Sequence, residues 1–540
     1  MDRVTSLHKC NRVLVLCLAL RAFAQTADDW SALATQGTEA YNRGAYAESG
    51  KHLTAALAIA EKLGPKDDRL AASLSNLGTT YRAQGRYPEA EKLYRRALAL
   101  REAMFGTDDP QVAIVVNNLA ALYHANGAYA SAEPLFRRSL TIWEKSVAPA
   151  EHVATALNNL AGIYRVQARY AEAEPLYRRA LAISEKTLGP EGDATALVLN
   201  NLGVLYQDQG KWEAARQLHE HAFAIRERTL GAEHPYVAVS LTNLGDVYRN
   251  QWRLNEARQL YERALAIRER GLGPNHPQVA ETLNSLAVLY KSQERYTDAE
   301  ELYRRALAIV ERSFGPAHPR VGVELNNLGQ LAAARGHYAE AKRLYERALA
   351  IWEKALGPDH PELAPGMTNL GSLYYSHRKY NQAEALYRKT LRIDEARLGP
   401  AHVVIAMDLN NMGTVSYAHH RYADAEEFYQ RSIAMFEHTV GPESPSLAEP
   451  LLNLAAVYMA QRRFVDTARL YRRALPLRER ALGAEHPKLA ETLKQYAGVL
   501  RKLEEYAEAE KVEIRAIGIR VRKAVRAERV ALRVDDGAGR

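Results

Sequence analysis

Apolar residues recur along this chain at two nested spacings, one of three to four residues and one of about 42. Val237, Ala238, Leu241, Leu244, Gly245 and Tyr248 stand at offsets of 0, 1, 4, 7, 8 and 11. At ~100° per residue these form one stripe along one side of a helix. A short turn follows, held by glycine elsewhere in the chain (Gly85, Gly127, Gly210, Gly336). A second helical stripe then runs through Ala257, Leu260, Tyr261, Ala264, Leu265 and Ile267. The connector Leu272-Gly273-Pro274-Asn275-His276-Pro277 ends it. Gly273 and Pro274 stop the helix, and Pro277 suits the first turn of the next, where its missing N–H is no loss. His276 then falls at the cap, as do Asp109, His234, His318, His360 and His486.

The longer spacing repeats this pair of helices. Leu77 and Leu119 are 42 residues apart, Leu160 follows at 41, and Leu202, Leu244, Leu286, Leu328, Leu370, Met412, Leu454 and Tyr496 each follow at 42. A twelfth, more divergent repeat precedes these eleven over residues 30–63. Gly or Ala follows the central Leu (Gly78, Ala120, Ala161, Gly203, Gly245), so a second helix can approach closely. Neither helix can bury its stripe alone, and stacking successive pairs supplies one continuous core.

Leu77, Gly78 and Tyr81, then Ala90, Tyr94 and Ala97, fall at the spacings of the tetratricopeptide repeat, which the chain resembles. Its period exceeds that repeat's usual ~34 residues, and the longer form is similar to the repeats of kinesin light chains and related bacterial proteins. The resemblance covers residues 30 to about 520. It implies an all-α fold, a right-handed superhelical solenoid of about twelve antiparallel helix pairs, and a role in binding other polypeptides. Departures are local: Ala332 and His219 replace aromatic residues, Ala168 and Trp252 replace the turn glycine, and the connectors at Pro149 and Pro190 lack His-Pro.

Charge alters this picture only at the ends. The 540-residue chain carries a formal +8, of which residues 1–24 supply +3 and residues 511–540 supply +5. Residues 25–510 are formally neutral, which argues against nucleic acid as a partner, since a phosphate backbone needs a basic stripe along the body. Both cysteines, Cys10 and Cys17, lie in an N-terminal stretch with Arg3, Lys9 and Arg12 ahead of the apolar run 13–20 and Ala22-Phe23-Ala24 behind it. That is the pattern of a secretory leader, too short to span a bilayer. The expected domains are a leader at 1–24, the repeat array at 25–510, and a basic C-terminal capping helix and tail at 511–540. Cleavage would make the protein periplasmic or secreted; without it the chain would be cytoplasmic.

No Gly-rich phosphate loop, His-Glu-x-x-His or Gly-x-Ser-x-Gly occurs, and no catalytic residue, cofactor or metal ligand is assigned. His234, His276, His318 and His360 recur once per repeat, yet packed helices stand ~8–10 Å apart, beyond the ~2.1 Å reach of a shared metal. Binding is expected on the first helices instead. The residue before the central Leu is Asn76, Asn118, Asn159, Asn201, Asn243, Asn327, Asn369, Asn411 and Asn453, with Ser285 and Gln495 as exceptions. An amide both donates and accepts, as an extended peptide backbone requires. The column is similar to the asparagine ladder in the repeats of O-linked N-acetylglucosamine transferase; bonds between neighbouring helices are its other reading. Six residues further on come Arg82, His124, Arg165, Gln207, Arg249 and Lys291, against Ala333, Tyr375, Tyr417 and Met459 later. Arg82, Arg165, Arg249 and Lys291 would favour acidic segments in the early half.

Glu91–Arg95, Glu133–Arg137, Glu174–Arg178 and Glu300–Arg304 are i,i+4 pairs expected on the solvated side of the second helices. At the C-terminus, Ile514, Ile517, Val521 and Val525 are expected to face the array, with Arg515, Arg520, Arg522, Lys523, Arg526, Arg529 and Arg533 around them as a cap or as a basic arm. The expected function is a scaffold for peptide segments or partner subunits. The alternatives are a cytosolic adaptor of the kinesin-light-chain kind and a substrate-selecting subunit of an enzyme.

The leader yields the first prediction. Intact-mass measurement of the chain recovered from its host should place the N-terminus at Gln25, whereas Met1-containing protein concentrated in the cytosol would overturn export.

Overall fold

The structure, a computed structural model, describes residues 28–147, 149–398 and 401–537. The expected leader at 1–24 lies outside them. The described residues contain no strand and 24 α-helices, α1 to α24, in twelve consecutive pairs. Packing divides the chain into two compact units, one ending at Gly366 and the other beginning at Met367, with the boundary inside α17 (Leu363–Ser376).

Within a repeat the two helices meet where the first carries glycine or at most a methyl group, and the glycine repeats show how close the approach is. A Cβ on Gly245 of α11 (Pro235–Asn250) would lie 2.6 Å from the Tyr261 ring of α12 (Leu254–Leu272). Gly329 and Tyr345, and Gly413 and Tyr429, repeat the contact at 2.6 and 2.7 Å. His219 takes the tyrosine's place against Gly203. It is fully buried, with Nδ1 2.8 Å from Asn200 Oδ1, and burial pushes its pKa down to about 4, so the ring is neutral.

The turn between paired helices uses the left-handed region, at φ +70° in Gly85 and +71° in Gly210. Ala168 and Trp252 hold the same conformation at φ 55° and 60°, although it costs an L-residue roughly 1–2 kcal/mol. The helix pairing therefore dictates the turn. The connector histidines cap as expected: Nδ1 of His276, His318 and His360 accepts the N–H two residues on at 3.2, 3.1 and 3.2 Å. Asp109 does the same through Oδ1 at 2.7 Å.

Neighbouring repeats are joined by a buried column that changes from junction to junction. Arg226 and Arg268, 3% and 4% exposed, each donate to a hydroxyl of the next first helix, Ser240 at 3.2 Å and Thr282 at 2.7 Å. Each also donates to a backbone carbonyl there, Tyr236 O and Gln278 O. Trp352 fills the equivalent place, and across from it a Cβ on Gly366 would lie 2.7 Å from the ring. The second helices are also laced by ion pairs one repeat apart, among them Arg96–Glu61 at 2.8 Å, Arg138–Glu102 at 2.7 Å and Arg347–Glu311 at 2.9 Å.

The four Glu-x-x-x-Arg pairs form, at 2.6–3.0 Å. Glu91 and Glu174 also accept the hydroxyl of a tyrosine from the next repeat, Tyr123 at 2.8 Å and Tyr206 at 2.9 Å. These glutamates therefore belong to the repeat junction as well as to the solvated surface.

The first unit coils back on itself. A Cβ on the turn residues Gly44, Gly85 and Gly127 would lie 2.7, 3.2 and 2.8 Å from the connector prolines Pro277, Pro319 and Pro361 respectively. His318 Nε2 lies 3.3 Å from the Ala83 carbonyl, 235 residues away in sequence, and Tyr46 stacks on Phe314 at 5.1 Å between centroids. The His-Pro connector thus caps a helix and also meets the preceding superhelical turn.

One expectation fails at the C-terminus. The last helix, α24 (Tyr506–Gly537), runs unbroken through residue 511 as the partner of α23 (Pro487–Lys502). Its buried residues are Ala509, Ala516 and Ile519, while Ile514, Ile517 and Val521 are 62%, 53% and 54% exposed. Alanine, which lets α23 come close, marks the buried side here as in Ala257 and Ala264, so the larger β-branched residues are a poor guide. The side chains of Lys523, Val525, Arg526, Arg529 and Arg533 lie outside those described.

Replacing Gly245 with Leu should drive a side chain into Tyr261 and cost typically about 1–3 kcal/mol. Hydrogen exchange should show protection lost in α11, α12 and the adjoining repeats only, since coupling runs between neighbours. Uniform loss across the first unit would contradict that coupling.

Candidate functional site

The first helices form the more closely spaced layer of the array. In the first unit α3 (Asp68–Ala83) touches α5 (Pro110–Ala125), α7 (Ala150–Val166) touches α9 (Asp193–Asp208), and α11 touches α13 (Pro277–Ser292); in the second, α19 (Val403–Ala418) touches α21 (Ala448–Ala460). The asparagine column lies on this layer. Asn76 is exposed, and Asn118, Asn159, Asn201, Asn243, Asn327, Asn369, Asn411 and Asn453 are half-buried. Three amides donate across the gap between repeats: Asn159 to Asn117 Oδ1 at 3.0 Å, Asn201 to Asn158 Oδ1 at 2.8 Å, and Asn453 to Asn410 Oδ1 at 2.9 Å. The column is therefore partly a ladder between helices. Each amide that donates one N–H in this way keeps its oxygen and a second N–H on the same group.

The basic column is less uniform than its sequence. Arg165 lies 2.6 Å from Asp208 of the next repeat, and Arg249 lies 3.5 Å from Asp246 on its own helix. Lys291 Nζ donates to Gln330 at 2.9 Å, and burial, reinforced by the nearby Arg249 charge, depresses its pKa. Burial and the charges of Arg165 and Arg82 hold His124 low, which removes it as a cation near neutrality. Of the cations in the column, Arg82 has a side chain with no ion pair or hydrogen bond among the described residues. Asp208 is 43 residues beyond Arg165, and nothing in the sequence joins the two before the repeats are stacked.

In the second unit the two columns meet around a hollow of about 570 Å³, whose wall includes Tyr417, Asn453 and Met459. Aromatic and thioether side chains here replace the cations of the first unit. No cluster of three or more His, Cys, Asp or Glu is placed to hold a metal among the described residues, and none of their helices is long and apolar enough to cross a membrane.

Buried acids went unnoticed in the sequence. Four residues before the central apolar position, where other repeats carry Val115, Ser240 or Thr282, stand Glu324 and Asp408. Glu324 is 4% exposed and accepts from Asn284 at 2.8 Å, and burial pushes its pKa up to about 7. Asp408 and Asp394 of α18 (Tyr380–Leu398), each 3% exposed, are hydrogen-bonded to one another, and burial raises both carboxyls. An acid in a column of small or apolar residues was the available signal.

The Asp394–Asp408 pair generates a prediction. Unfolded aspartates titrate near ~3.9, and raised folded values mean that the native state holds protons the unfolded state has released. Stability is then fullest below about pH 4 and is lost as pH rises through the folded values. Asp408→Asn should remove most of that loss and stabilise the second unit by about 1 kcal/mol or more above neutrality. Urea unfolding at about pH 5 and about pH 9 checks it, and an unchanged pH dependence would refute it.

Comparison with known proteins follows the geometry. The family described as tetratricopeptide repeat matches residues 37–103, 81–145, 152–228, 195–270, 236–312, 278–354, 323–396, 379–438 and 446–520. No curated protein matches the chain. Among solved structures, BtubC (BKLC) from P. vanneervenii is similar at 25% identity, over 43% of this chain and 91% of that one, with a TM-score of 0.34. A Podosopora anserina protein described as a kinesin light chain with nearly identical TPR-like repeats is similar at 28% identity, over 39% of this chain and 98% of that one, with a TM-score of 0.33.

Proposed function

The chain belongs to the tetratricopeptide repeat family, and from that premise we propose that it holds segments of other polypeptides against the first helices of its repeats. Members of the family typically bind other proteins, and the fold is generally a non-catalytic scaffold. The observation that carries the proposal is the column of half-buried asparagines running from repeat to repeat. Amides fixed at one end by a neighbour keep donor and acceptor capacity at a regular spacing, and an extended backbone offers the complementary groups. Such contacts tolerate varied sequence, so selectivity falls to the residues beside them. In the second unit those are Tyr417 and Met459, which suit an apolar side chain. In the first unit the internal partners of Arg165 and Arg249 narrow the acidic preference to the neighbourhood of Arg82. The basic and apolar run ending in Ala22-Phe23-Ala24 supports a role after export.

The test is selection of displayed random peptides on the purified chain, followed by affinity measurement on the Asn159→Ala, Asn201→Ala, Asn243→Ala triple variant. Binding of first-unit peptides should weaken about tenfold or more, with helix content unchanged by circular dichroism. Unchanged affinity would place the bound peptide on another surface.

A further inference from the structure

Where the first unit coils back on itself it encloses a hollow of about 340 Å³, within the range of small-ligand sites. Arg82, at the end of α3, and Arg320, in the first turn of α15 (Pro319–Ala334), both line it, one from each superhelical turn. Both charges act on Tyr87 of α4 (Tyr87–Phe105), a third lining residue, and burial raises the pKa of its hydroxyl, so it remains a neutral donor. Arg320 is held in place: its guanidinium lies 5.0 Å from the centroid of Phe314, which is itself stacked between Tyr46 and His318. Its ion pair with Glu281, at 3.6 Å, is about half exposed. Arg82 has no side-chain partner among the described residues. Glu362 is the one carboxylate on the wall and forms no ion pair with either arginine.

Two guanidiniums and a phenol around one cavity, with Glu362 the one acid on its wall and Glu281 paired with Arg320 from outside the lining, form a site for anions. We propose that this hollow binds a ligand bearing two carboxylates, one for Arg82 and one for Arg320, and that the bound ligand clamps the two turns of the first unit together. The two carboxylates can come from neighbouring acidic side chains of a peptide or from a free small diacid. The site goes beyond the peptide-binding proposal and does not need it, because a free diacid would occupy it without any use of the asparagine column.

Calorimetric titration of the full chain with a capped Glu-Glu dipeptide and, separately, with glutarate tests the site at low salt. At least one probe should bind, with affinity falling as salt is added and at least about tenfold in Arg82→Gln and in Arg320→Gln. Both variants should keep the parent circular dichroism spectrum, and Asn159→Ala should leave diacid binding unchanged. Hydrogen exchange of the parent should show added protection over residues 82–87 and 318–323 when the probe is bound. Binding by the dipeptide alone assigns the site to a polypeptide ligand, and binding by glutarate assigns it to a free acid. Absence of binding by both probes, or binding indifferent to both arginine substitutions, overturns the proposal.

Discussion

Most repeats depend on a ring lying flat against a helix that presents only glycine or alanine to it. Tyr261 rests on Gly245, Tyr345 on Gly329 and Tyr429 on Gly413, each closer than a Cβ would allow. The contact fixes how near the two helices stand, and with it where every other side chain of the pair meets its partner. His219 shows how strict the requirement is. An imidazole can replace the phenol only by remaining neutral and bonding Asn200, so a titratable group is held uncharged for the sake of its shape. The turns follow from the same spacing, since Ala168 and Trp252 accept a left-handed backbone rather than let the helices part.

Between repeats the energetics are of another kind. The inner layer is joined by amides and the second helices by Arg–Glu pairs one repeat apart, which individually contribute little at the surface. The buried junction matters more: Arg226 and Arg268 would be costly to bury without the hydroxyl and carbonyl that receive them. The protein answers the same geometric question differently at successive junctions, with arginine and hydroxyl, tryptophan and glycine, or two aspartates and a proton.

How much of this could be read in advance depended on distance along the chain. Helix pairing, the capping histidines, the close approach at Gly245 and the glycine turns are local; the spacing of about 42 residues declares the pairing in every repeat and the other features in about half of them. The C-terminal helix was legible as a helix but not in its orientation, because alanines that pack look less conspicuous than isoleucines that do not. The asparagine column was visible as a column, but Asn117, Asn158 and Asn410 as its partners were not, and neither was the neutralisation of Arg165 by Asp208. Meeting points such as Gly85 and Pro319 could not be found without knowing how many repeats complete a superhelical turn.

The variable junctions also bear on how such a chain can evolve. A gene built of similar segments of about 42 residues invites unequal recombination, which deletes or duplicates whole repeats while preserving the reading frame. Here a deletion would set the second helix of one repeat against a first helix it does not fit: Trp352 against a threonine, or Asp394 against Pro450 in place of the Asp408 carboxyl that it meets now. Each misfit lies in the core, where a mismatch in volume or charge is felt most. The order of the repeats is therefore inherited as a unit, and surface residues remain free to diversify within an array whose sequence of modules is fixed from inside.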